Sequence, residues 1–163
     1  MRICQILECR TLRFLLFAAL MTAGNVHAHD DVRKACTDLV LDYAYYRDRP
    51  DADALAALFA EDAELSVLGQ TYVGREAITA RLRGAENGPS FRHLMSTIRI
   101  FPVDATFARG VSYVTVYSAP HGASEVEGFL GMGEYHDEFV LTEQGWRIAA
   151  REYVPVYTQA AAP

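Results

Sequence analysis

The second half of the chain reads as strand, and this limits the fold more than any other feature. Four long β-rich runs follow one another: Phe91–Phe101, Ala108–Ala119, Gly128–Leu141 and Trp146–Tyr157. Pro102-Val103-Asp104, the stretch from Pro120 to Glu127, and Thr142–Gly145 divide them, each turn-like in composition. The first half reads mainly as helix. Val32, Cys36, Leu39, Tyr43 and Tyr46 recur at three- and four-residue spacing, one apolar stripe on a helix over Asp31–Asp48. Pro50 disfavours helical geometry at Arg49 and ends it. Asp51 is placed to cap a second helix, Ala52–Ala60, with Leu55 and Phe59 facing inward. Short strands are expected at Glu64–Leu68 and Gln70–Val73, a third helix at Arg75–Arg83, and a polar loop at Gly84–Ser90. Helices first and antiparallel strands afterwards specify an α+β class. The expected architecture is a cone-shaped barrel: a curved, mostly antiparallel sheet wrapped around the N-terminal helices, open at one end for a ligand.

Phe91–Ile100 is the run with chemistry on it. Side chains alternate across a strand, so Phe91, His93, Met95, Thr97 and Arg99 are expected on one face. An imidazole, a thioether and a hydroxyl together suit a pocket wall. The other reading is a core histidine bonded to a backbone carbonyl. On the next run Tyr113, Thr115 and Tyr117 share a face, and on the third Tyr135 and Asp137 do. Tyr113 is the additional pocket candidate among these, although one mixed buried face is ordinary in antiparallel sheets.

The N-terminus reads as an export signal. Arg2, Arg10 and Arg13 precede the apolar stretch Phe14–Ala23, and Val26-His27-Ala28 gives a small-x-small cleavage pattern. The apolar stretch is too short to span a bilayer. Residues 1–28 are therefore expected to be removed, leaving a domain over 29–158, a disordered tail at 159–163, and a periplasmic or secreted protein. Cys4 and Cys9 leave with the signal, so Cys36 has no partner for an internal disulfide. The whole chain carries a formal charge of −6, and losing three arginines and one glutamate makes the mature chain more acidic. Neither nucleic acid nor an anionic membrane suits such a domain as partner.

Metal and cofactor signatures are absent from the sequence. No His-Glu-x-x-His, Cys-x-x-Cys or other compact zinc spacing occurs. His136 and Asp137 are adjacent on a strand and point to opposite faces. Gly128, Gly131 and Gly133 lie in a strand-like run, where they mark bending or a bulge, not a phosphate loop.

Several short pieces in order carry a family resemblance. They are Tyr43-Ala44 followed by Asp48 and Asp51, then Leu55-Ala56-Ala57-Leu58-Phe59-Ala60-Glu61-Asp62-Ala63, Gly74-Arg75-Glu76-Ala77-Ile78, Arg92-His93-Leu94, Ser112-Tyr113-Val114 and Gly145-Trp146-Arg147-Ile148. In this order they resemble the nuclear transport factor 2-like superfamily, particularly its SnoaL-like branch, which is similar to scytalone dehydratase, bile acid dehydratase and the polyketide cyclases. The resemblance implies a catalytic tyrosine and aspartate near the end of the first helix and a histidine on the first long strand. These fall on Tyr43, Asp48 and His93. Met95 and Thr97, which share the His93 face, and Tyr113 on the next run are the substrate-binding candidates, no cofactor or metal is expected, and the resemblance implies an apolar small-molecule ligand and a homodimer paired through the exposed sheet face. Where some members carry an amide four residues after the histidine, this chain has Thr97.

The implied chemistry is physically coherent. Tyr43 and Asp48 are separated by about 140° and about 7.5 Å of rise on an ideal helix, so they converge only if the last turn is distorted. A carboxylate on one ring nitrogen of His93 would fix its tautomer and leave the other nitrogen as base. The Tyr43 phenol could donate to a carbonyl gaining enolate charge. The expectation is a cofactor-independent dehydratase or isomerase acting on an apolar carbonyl compound. Two other readings stand beside it: a non-catalytic module that binds a hydrophobic ligand or dimerises, and an Asp48 that is only a solvated helix end paired with Arg47 or Arg49.

Overall fold

In the computed structural model, residues 29–159 are described except Glu86 and Glu127; the expected signal segment 1–28 and residues 160–163 lie outside the described residues. Helix α1 covers residues 29–48. Then follow α2 (Ala52–Ala56), β1 (Phe59–Val67), β2 (Gln70–Val73), α3 (Arg75–Arg83), β3 (Ser90–Pro102), β4 (Phe107–Ala119), β5 (Gly128–Thr142) and β6 (Gly145–Thr158).

Among the described residues the strands form one six-stranded sheet in the order β2-β1-β6-β5-β4-β3. The four long strands are an antiparallel meander, and only β1 against β6 is parallel. The sheet is curved but unclosed, so the fold is an open α+β half-cone, not a sealed barrel. Strand β4 shows why one face is a core. Ala108, Ser112, Val114, Val116 and Ser118 are buried, while the residues between Val111 and Ala119 on the other parity are half-buried. Helix α1 lays Cys36, Leu39, Val40, Tyr43 and Ala44 onto that face. These recur at three- and four-residue spacing, as one helical stripe requires.

The second helix is shorter than its periodicity suggests. Asp51 caps it, its carboxylate accepting from Ala54 N at 2.9 Å. It stops at Ala56, and Phe59 begins a strand that runs to Val67. Ala-rich composition favours helix locally, but Phe59 pairs with Ile148 on β6 and Ile148 N donates to Leu58 O at 2.9 Å. Long-range pairing overrides local propensity here.

Two irregularities interrupt the long strands. In β3 the register shifts between Ser96 and Arg99, and Thr97 has φ 48°, a left-handed conformation that is rare for a β-branched residue. In β5 the register shifts at Met132/Gly133. A Cβ on Gly133 would sit 2.5 Å from both Tyr153 Cε2 and Val154 O, so this glycine makes room for the Tyr153 ring. Just past β6, Gln159 N donates to Leu130 O at 3.3 Å.

Candidate functional site

A cavity of about 780 Å³ opens between α1 and the inner face of the sheet. That size falls within the range of small-molecule sites. Tyr43 and Arg47 from α1, Phe91 and His93 from β3, Tyr135 from β5 and Tyr153 from β6 all line it.

Asp48 and His93 meet at its wall. His93 Nδ1 lies 2.6 Å from Asp48 Oδ1, and the His93 backbone N–H donates to Asp48 Oδ2 at 2.9 Å. Their side chains are only 9% and 8% exposed, so the pair is held largely away from water. Both carboxylate oxygens are engaged by one residue, which fixes the ring relative to the helix end. The end of α1 is not distorted to achieve this. Arg49 N still donates to Tyr45 O at 3.1 Å, an ordinary i to i−4 bond, and β3 carries the histidine to Asp48. Nor do the neighbouring arginines neutralise Asp48. Arg47 lies over the Phe91 ring at 4.8 Å and Arg49 over Tyr45 at 4.2 Å. Arg92 instead caps the helix by donating to the Asp48 carbonyl at 3.1 Å, which suits the negative end of the helix dipole.

Tyr43 lines the same cavity and is buried. Beneath it lies an ion pair the sequence reading missed. Arg151 Nε and Nη2 each donate to Asp137 at 2.7 Å, with both side chains essentially unexposed. The guanidinium stacks on Tyr43 at 4.2 Å and on Tyr135 at 4.5 Å. Burial pushes the Tyr135 phenol well up and the nearby Tyr43 adds to this, while the Arg151 charge opposes it. For Arg151 burial works against the charge, but Asp137 outweighs it and holds the guanidinium protonated. The one available signal was Asp137 on the inward parity with Tyr135; nothing marked Arg151 as its cross-strand partner.

The remaining candidates fall elsewhere. Met95 keeps the His93 face but packs on the core and does not line the cavity. Thr97 is exposed, because the bulge breaks the alternation that was expected to carry it inward. Tyr113 lies on the parity opposite the buried Ser112 and Val114, so it faces away from the cavity. His136 and Asp137 point to opposite faces, His136 contacting Glu134 at 2.8 Å on the outside. Among the described residues no group of three His, Cys, Asp or Glu side chains gathers as a metal site would require.

The family model described as SnoaL-like domain matches residues 30–152. The chain belongs to that family. A proposed scytalone dehydratase from Novosphingobium aromaticivorans is 28% identical, with TM-score 0.74 over 82% of this chain and 90% of the other. A nuclear transport factor 2-like protein with a cystatin-like fold from the same organism is 27% identical, with TM-score 0.68 over 86% and 91%. A hexachlorocyclohexane dehydrochlorinase from Novosphingobium barchaimii shares the fold at 21% identity, with TM-score 0.70 over 81% and 91%. No curated protein sequence gives a significant match. The SnoaL-like match and these neighbours agree with the open α+β half-cone described above.

Proposed function

We propose that this SnoaL-like protein binds an apolar carbonyl compound and moves a proton beside its carbonyl, as a dehydratase or isomerase. The observation that carries the reading is the 2.6 Å contact of His93 Nδ1 with Asp48 at the cavity wall. An ionised carboxylate can only accept, so Nδ1 carries the proton and Nε2 keeps its lone pair. Among the described residues nothing partners Nε2. It takes the proton α to the carbonyl, Asp48 balances the imidazolium, and the Tyr43 hydroxyl donates to the oxygen that gains enolate charge. In elimination, the β C–O bond then breaks, the double bond forms, and the imidazolium proton leaves with the departing hydroxyl as water. In isomerisation the same proton returns at the γ carbon. These steps use only the chain's own side chains. The dehydratase named among the similar structures supports a lyase reading.

The test is proton exchange in D₂O with a panel of cyclic and aryl ketones, followed by NMR. Exchange faster than buffer, lost in both His93→Gln and Asp48→Asn, is expected. Exchange unchanged in both variants would remove the assignment.

A second reading, non-catalytic carriage of an apolar ligand in the same cavity, draws on the aromatic and aliphatic residues among its lining. Ligand binding without any exchange would favour it. The export pattern of residues 1–28 supports a periplasmic or secreted location after cleavage behind Ala28. Sequencing the exported protein checks this, and residues before Asn25 would refute it. The outer sheet face presents Leu94 beside Thr115, and Ser96 beside Tyr113, which supports pairing of two copies there. Sedimentation showing only a monomer at micromolar concentration would remove that expectation.

A further inference from the structure

The charges that line the cavity are unbalanced. Arg47 and Arg81 both line it, and no Asp or Glu does. This stands out in a chain whose acidic residues outnumber its Lys and Arg, 21 to 15. Several arginines of the fold are neutralised, Arg75 by Glu61, Arg83 by Asp53, Arg109 by Glu138 and Arg151 by Asp137, and Arg49, Arg92, Arg99 and Arg147, unpaired among the described residues, lie outside the cavity lining. Arg47 and Arg81 are not paired with any carboxylate among the described residues. Each instead lies against an aromatic ring, Arg47 over Phe91 at 4.8 Å and Arg81 over Tyr72 at 5.4 Å. A guanidinium stacked in this way is held in place while its N–H groups remain available to a planar anion. Both residues are half-buried, so a bound anion would be only partly screened by solvent. The Arg47 charge also reaches inward, since it opposes the upward push on the buried Tyr135 phenol.

The two arginines are delivered by different elements. Arg47 comes from the last turn of α1 and Arg81 from α3, on the side where the exposed Leu68 of the β1–β2 turn also lines the cavity. His93 comes from β3 and lies beside Phe91, the ring on which Arg47 stacks, so that ring stands between the guanidinium and the imidazole. A ligand reaching both regions therefore needs an apolar body between an anionic end and a carbonyl.

We propose that the substrate is an amphiphilic organic acid, its apolar body in the tyrosine-lined cavity and its carboxylate held by Arg47 and Arg81. This rests on the acid–base reading above for the position of the carbonyl, and adds the charge of the substrate. Bidentate guanidinium–carboxylate pairing gives the recognition.

The test uses a matched pair of probes, 4-(2-naphthyl)-4-oxobutanoate and its primary amide, with binding followed by calorimetry. The acid should bind at least tenfold tighter than the amide, and raised salt should narrow the gap. In Arg47→Gln/Arg81→Gln the preference should fall to about twofold or less, with amide affinity unchanged. Retained amide binding shows that this variant is folded, and Arg47→Lys/Arg81→Lys should keep part of the preference. Equal affinity for the two probes, binding of neither at millimolar concentration, or a preference that survives the double glutamine variant would overturn the proposal. Exchange of the protons beside the ketone is read separately. Acid preference without exchange would remove the acid–base reading and leave the anion site standing.

Discussion

Two aspartates of this molecule, the buried Asp137 and the half-buried Asp48, do different things. Asp137 is paired with Arg151 through two parallel 2.7 Å bonds, and neither side chain is more than 1% exposed. Asp48 is paired with His93 through a ring nitrogen and the backbone N–H, with both side chains slightly exposed and His93 lining the cavity. The first pair joins two groups that hold their charge, locked across neighbouring strands. The second joins a carboxylate to an imidazole whose other nitrogen has no partner among the described residues. A closed pair suits structure, and a pair with a free nitrogen suits proton transfer.

The sharpest way to separate the two is to break each in turn. Asp137→Ala leaves the Arg151 guanidinium buried without its counter-charge and should cost about 3–5 kcal/mol of stability. Urea unfolding checks this, as a lowered midpoint with an unchanged slope. Replacing both partners together, as Asp137→Leu/Arg151→Met, should cost less, since well-packed apolar pairs often match buried ion pairs. If the single change is mild, the pair is not the closed structural unit described. Asp48→Asn should cost less stability, roughly 1.5–3 kcal/mol, the worth of hydrogen bonds to a charged group. Its effect should instead appear in function, and His93→Gln should slow substrate proton exchange by about 10²–10⁴-fold. A variant at Asp48 as unstable as Asp137→Ala, with exchange intact, would invert the comparison.

The Asp137 region also predicts a pH response. Burial pushes the Cys36 thiol up to about 12 from its ordinary 9.0, and the Asp137 charge adds to this. The raised value means the fold favours the neutral thiol. That stabilisation is complete below pH 9 and is lost as pH rises towards 12; Tyr135 acts in the same direction. The melting temperature should therefore fall above pH 9, and fall less steeply in Cys36→Ala. Parallel slopes would contradict it. The smallest effect concerns the β3 bulge that turns the strand after it has delivered His93. Thr97 holds φ 48°, where asparagine is better tolerated than a β-branched residue. Thr97→Asn should gain about 0.5 kcal/mol while proton exchange is unchanged. A loss of stability would show that the hydroxyl has a use not visible in its exposed position.

Much of this organisation was legible because alternation and helical spacing persist over long stretches. The four strand runs, the α1 stripe and the α3 boundaries are all found where periodicity places them. What could not be read depends on long-range pairing. Phe59 is strand because β6 lies beside it, which its alanine-rich surroundings do not reveal. Thr97 left the expected face because one bulge resets the parity of β3. Tyr113 has the composition of a pocket residue, but alternation alone does not say which face of a strand is concave. Arg151 was invisible because its partner lies across the sheet, beside another register shift at Glu138/Phe139. The meeting of Asp48 with His93 was suggested by family resemblance; the path by which β3 brings them together is evident only in the structure.

On the proposed reading, Asp48 holds the His93 ring with Nδ1 protonated and Nε2 free. Nitrogen-15 NMR of the imidazoles, in the wild type and in Asp48→Asn, tests it most directly. Neutral His93 should carry its proton on Nδ1, Nε2 should have the shift of an unprotonated nitrogen, and Asp48→Asn should disturb both signals. A neutral ring protonated on Nε2, with signals indifferent to the Asp48 substitution, would contradict it.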